Sequence, residues 1–216
     1  MTEVDFLKEV SAHQMIVLRD EGVHRHIRFK KPGTMCMHFD LITWPGYLCY
    51  TGDMGTYVFR RLEDMFEFFR TDRKSDREGL CINKGYWAEK IEAADRCDGI
   101  KTFSEEKFTR AVMEYLVTWI RENRDRTTPD ERRDLWNAVI DEVIHEESDG
   151  GGYRKQCAAI DFWCQVNEQV GRFRFQDFWE TDCTVYAHRF VWCCYALAWG
   201  IQVYDKAQIP APEVAA

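Results

Sequence analysis

Twelve consecutive residues from Phe190 to Ile201, FVWCCYALAWGI, carry no charged side chain. A helix that is apolar on every side has to be enclosed, by protein or by lipid. A bilayer span needs about 20 such residues, and His188 and Arg189 close this run on its N-terminal side. The run therefore predicts a central buried helix rather than a membrane anchor, and the rest of the chain has to supply its walls. The material is there: 45% of the 216 residues are hydrophobic and 14% are aromatic. That is enough to bury a core without disulfide or metal staples.

The walls are of two kinds, and periodicity separates them near residue 80. Before it, short alternating runs are punctuated by turns. Val23 to Lys30 sets Val23, Ile27 and Phe29 on one face and His24, His26, Arg28 and Lys30 on the other. Met35 to Trp44 alternates likewise, with Met35, Met37, Phe39 and Leu41 opposed to Cys36, His38 and Asp40. Pro32-Gly33, Pro45-Gly46 and Gly52 to Gly55 read as turns, and Gln14 to Arg19 adds a leading strand. An antiparallel meander of four or five strands is expected, covered by a helix over Leu62 to Arg70.

After residue 84 the period becomes helical. Thr102 with Glu105 reads as a capping box before an apolar stripe from Phe108 to Ile120. Thr128-Pro129-Asp130-Glu131 starts a second helix, whose apolar side holds Leu135, Val139 and Val143. A third helix is expected over Tyr153 to Val170 and a last one from about Thr181. The fold class is therefore α+β. An N-terminal sheet with its covering helix spans 1–80, and a helical bundle around the apolar run spans 81–208. The two are expected to pack as one compact unit, with a flexible tail over 209–216.

Nine cysteines, an odd number, contain no CxxC pair, which argues against a zinc knuckle. The N-terminus MTEVDFLKEV lacks the apolar stretch of a secretory signal. Reduced thiols in a cytoplasmic protein are expected, with neither cofactor nor bound metal. The formal net charge of -8 disfavours direct nucleic-acid binding. Acidity is also unevenly placed: residues 1–80 hold 12 basic and 13 acidic side chains, residues 81–216 hold 17 and 24.

Two constellations are candidates for function. On the polar face of the first hairpin, a five-residue connection places His26 opposite Asp40, Arg28 opposite His38 and Lys30 opposite Cys36. Such a set suits acid–base work on a phosphodiester, or a metal held by His26, His38 and Asp40; an ordinary solvated sheet face is the alternative. The second candidate is the acidic stretch Asp134, Asp141, Glu142, Glu146, Glu147 and Asp149, with no Lys or Arg between Asp134 and Tyr153. Carboxylates spaced along a helix flank can imitate the phosphates of a duplex and enter a cationic groove; solubility is the alternative use. The segment RFRFQDFW (Arg172 to Trp179) reads as a core-covering turn with snorkelling arginines. The glycine loop after Asp149 lacks P-loop spacing and reads as a connector.

The segments His26 to Arg70 and RFVWCCYALAWGIQVYD (Arg189 to Asp205) resemble an uncharacterised family of small proteins carried by proteobacterial phages and prophages. The resemblance implies an intracellular bacterial protein encoded by a mobile element, and it brings no catalytic residues. Accessory proteins of that kind often block host defence. The expectation is a non-enzymatic, anti-CRISPR-like binding protein that engages a host defence complex through its acidic helices, without membrane or nucleic-acid contact. A phosphodiesterase or nuclease built on His26, Arg28, His38 and Asp40 is the alternative.

Overall fold

The computed structural model describes residues 1–72, 79–147 and 151–208. Asp149 and the tail from residue 209 lie outside the described residues. Contacts divide the chain into two units, Met1–Lys101 with Tyr186–Ala216, and Thr102–Val185. Each has its own hydrophobic core.

The first unit opens with helix α1 (Glu3–Val10), capped by a Thr2/Asp5 box. A six-stranded antiparallel sheet follows: β1 (Gln14–Glu21), β2 (His24–Lys30), β3 (Phe39–Trp44), β4 (Tyr47–Gly52), β5 (Gly55–Arg60) and β6 (Ile91–Ala93), in sequence order. Strand alternation sends Ile27, Phe29, Phe39, Leu41, Leu48, Tyr50, Tyr57 and Phe59 to one face, where all are buried. Helix α7 (His188–Gln208) joins that core and buries Phe190, Trp192, Cys193, Cys194, Leu197 and Ile201. Its Gly200 permits a close approach to the sheet, because an added Cβ would stand 3.0 Å from Leu41 Cδ1 and 3.1 Å from the Phe29 ring. Phe6 of α1 meets the Trp192 ring edge-on at 5.0 Å, and the Trp192 indole donates to Glu9 at 2.7 Å. Helices α2 (Met65–Arg70) and α3 (Lys84–Ala88) add Met65, Phe66, Phe69 and Trp87. Burial of this kind stabilises by roughly 1.5–3 kcal/mol per large side chain.

Strand β7 (Lys101–Phe103) leads into the second unit, and β10 (Thr184–Tyr186) leads out of it; the two pair. Helix α4 (Glu105–Glu122) buries Phe108, Val112 and Leu116. Helix α5 (Pro129–Val139) runs into a π turn (Ile140–Ile144), together burying Leu135, Val139 and Val143. Helix α6 (Tyr153–Asp161) precedes a hairpin of β8 (Trp163–Asn167) and β9 (Gly171–Arg174). Phe173, Phe175 and Phe178 fill the core between them, while Arg172 and Arg174 stay exposed.

The α+β class and the antiparallel meander stand, with β1 as the expected leading strand. Several boundaries are corrected. The run from Met35 is extended only from Phe39, because Met37 adopts a left-handed φ of 59° and breaks the strand. The helix expected over Tyr153–Val170 ends at Asp161, and 163–174 is the β8–β9 hairpin. The last helix begins at His188, and Ser104 rather than Thr102 caps α4. The break expected at residue 80 falls inside the first unit, since β6 extends the sheet and α7 shares its core. The apolar run is thus central and buried, but among strands and not at the heart of a helical bundle. Among the described residues no helix is long and apolar enough to cross a membrane.

Candidate functional site

Residues of the first hairpin do converge, though in a different register. Arg28 faces Asp40 and His26 faces Ile42, two places from the expected pairing. The connection between β2 and β3 is eight residues, Lys31 to His38, and its length sets the shift. An even register sum survives, because a two-residue slip keeps every side chain on its face. Asp40 is 4% exposed and accepts from Arg28 Nε and Nη2, both at 2.8 Å. The His26 Nε2 lies 2.7 Å from Asp40 Oδ2, reaching it diagonally. Burial pushes the Asp40 carboxyl up, but the hydrogen bonds from Arg28 and then His26 outweigh it and hold the group below its ordinary value. The Arg28 guanidinium is raised in return, chiefly by its hydrogen bonds to Asp40.

His38 does not join them. It sits in the loop before β3, with Nδ1 2.7 Å from the Met35 carbonyl and 3.1 Å from Asp53 Oδ1. Cys36 is likewise an exposed loop residue, and Lys30 pairs with Gln14 across the β1–β2 ladder. Among the described residues no group of three or more His, Cys, Asp or Glu side chains is arranged to hold a metal. The alternative in which His26, His38 and Asp40 together hold a metal is corrected, because His38 stands apart on Met35 and Asp53. What remains is an Arg–Asp–His cluster in which the buried carboxylate accepts three hydrogen bonds from its two neighbours.

The acidic stretch is built differently. Thr128 caps α5, accepting from the Glu131 N–H, while Glu131 accepts from the Thr128 N–H; Pro129 occupies the first helical position. With Leu135, Val139 and Val143 committed to the core, Asp134, Asp141 and Glu142 are turned to solvent. Glu147 is exposed and Glu146 half-buried just beyond the π turn. The π turn closes with the His145 N–H on the Ile140 carbonyl at 2.9 Å, adding one residue to that turn. His145 Nδ1 is 3.5 Å from Asp141. Among the described residues, no Lys or Arg forms an ion pair with Asp134, Asp141, Glu142, Glu146 or Glu147.

The buried Lys155 is the cation at this end of the helix, and it points elsewhere. Its ammonium donates to the Ile144 carbonyl at 2.6 Å and to Glu105 at 2.8 Å. It caps the π turn and leaves the acidic side chains uncompensated. Their field reaches β8: burial, and then the charges of Glu142 and Asp134, push the Cys164 thiol up. Neither the π turn nor the role of Lys155 was legible in the sequence; a lysine three residues after a glycine run gives no sign of where its ammonium lodges.

The chain matches no family model, no curated protein and no solved structure in comparisons with each.

Proposed function

We propose that this chain is a binding protein that engages a cationic surface of a partner protein complex through Asp134, Asp141, Glu142, Glu146 and Glu147. The observation that carries the reading is the set of carboxylates that, among the described residues, no Lys or Arg pairs with, on one helix and the turn that follows it. Carboxylates at the C-terminal end of a helix oppose its macrodipole, at about 0.3–1 kcal/mol each when exposed. Among the described residues no Lys or Arg ion pair offsets that cost, and a use in recognition accounts for the arrangement. A column of negative charge presented on a rigid helix competes well for a groove that otherwise holds phosphates. The resemblance to phage-carried proteins gives the partner its class: a host defence complex that handles nucleic acid. Asp149 belongs to the same stretch in the sequence.

The test is capture of partners by the tagged chain from lysate of a bacterium with active defence systems, at low and high salt. The Asp141→Lys/Glu142→Lys/Glu146→Lys chain runs in parallel. The expected result is one nucleic-acid-handling complex that is held at low salt, released at high salt and absent from the variant. Equal recovery by the variant would remove the acidic stretch from the interface.

A further inference from the structure

The second unit also carries a surface of the opposite sign. A groove of about 380 Å³ lies between the C-terminal half of α4 and the first turns of α5. Val117, Ile120 and Trp136 form its apolar part, each half-buried, and Arg121, Arg132 and Arg133 line it with charge. Three guanidiniums in one groove stand against a chain of net charge -8.

Arg132 is set in place for such a role. Its Nη1 donates to the Arg124 carbonyl at 3.1 Å, to the Thr127 carbonyl and to Thr127 Oγ1. These neutral acceptors fix the guanidinium without cancelling its charge. Among the described residues neither Arg132 nor Arg121 has a carboxylate within ion-pair distance, and Arg133 has only the exposed Asp130 at 3.1 Å. Glu131 is committed instead to the Thr128 N–H and the Asn167 amide.

We infer that this groove docks a short acidic segment of a partner protein, one bulky apolar side chain seated over Val117, Ile120 and Trp136 and flanking carboxylates on the arginines. Arginine and tryptophan around an apolar floor is the composition of an interface hot spot, and arginine clusters are the usual readers of acidic motifs. Length is limited by the same helix. Glu142 lies ten residues beyond Arg132, about 15 Å along the axis, so a long polyanion such as nucleic acid would run into the acidic stretch and be repelled. The site is separate from the acidic face and does not depend on it.

The test presents the purified full chain to a random dodecapeptide library. Enrichment of Asp and Glu around a Trp, Phe or Leu is expected. The Arg121→Glu/Arg133→Glu chain, altered only at exposed positions, is expected to bind the selected peptide at least tenfold more weakly and to select basic sequences instead. The Asp141→Lys/Glu142→Lys/Glu146→Lys chain is expected to select the same acidic peptides as the wild type. Absence of acidic enrichment, or acidic selection persisting in the arginine variant, overturns the assignment. A mutation-free readout is the Trp136 indole N–H resonance during titration with the selected peptide: a shift supports the groove, and an unmoved signal overturns it.

Discussion

Asp40 shows what a carboxylate does when it leaves water with its partners already in place. Its three hydrogen bonds, two from Arg28 and one from His26, tie β2 to β3 on the face opposite the aromatic core. Removing the carboxylate leaves Arg28 without its bidentate acceptor. Breaking a fully buried ion pair costs about 3–5 kcal/mol, and the 31% exposure of the Arg28 side chain reduces that. Asp40→Asn is expected to lower unfolding free energy by about 1–2 kcal/mol at pH 7, read from urea melts. The pH dependence has a definite sign. Because the folded carboxyl is held below its ordinary value, its stabilisation is present above the unfolded pKa of about 4. It is lost as pH falls through the lower folded value. The difference between wild type and Asp40→Asn should therefore shrink on acidification below about pH 4; a difference that grows there would contradict the assignment. The residue types of this cluster and their common face were legible in the sequence, since alternation fixes the face. Its register was not, because the alternation of Met35 to His38 is that of a strand, and the left-handed Met37 that breaks it has no signature.

At the scale of elements, the helix signals that proved readable were those with a local mechanism. The Thr128/Pro129/Glu131 start is realised hydrogen bond by hydrogen bond, and Thr128→Ala should cost about 1 kcal/mol by loss of the cap. Three-residue β6 is too short to show alternation, and the β8–β9 hairpin follows α6 directly, so their apolar spacing reads as one continued helix. Helix α7 was recognisable as buried but not by what, because a stripe apolar all round names no partner. Its fit to the sheet can be tested at Gly200. Valine there would meet Leu41 and Phe29 and should destabilise the chain by about 1–3 kcal/mol, seen as a lower urea midpoint. The junction of π turn and α6 gives another test. Lys155→Met removes the donor from the Ile144 carbonyl and should cost about 1–3 kcal/mol. Faster amide exchange is expected around 140–145, with exchange in the sheet unchanged.

Over the whole molecule, charge is sorted by unit more sharply than composition suggests. The sheet unit pairs several carboxylates with arginines at close range, as in Arg25–Asp64, Arg28–Asp40 and Arg70–Asp205. The second unit holds an acidic run with no Lys or Arg partner among the described residues toward one end of α5, and toward the other Arg121 and Arg132 with no carboxylate in ion-pair reach. The acidic run was legible in the sequence because it is contiguous. The arginine groove was not, since Arg121 and Arg132 come from different helices and only the fold assembles them. Binding through the acidic run should weaken steeply with salt, as exposed charges are screened over about 8 Å at physiological ionic strength; salt-insensitive capture would point to an apolar interface instead.

The most direct measurement is hydrogen exchange of the chain, free and bound to the complex it captures, followed peptide by peptide. Slowed exchange concentrated over residues 134–147 is the predicted result. Protection confined to the sheet, with 134–147 exchanging as in the free chain, would contradict the proposal that the acidic helix is the contact surface.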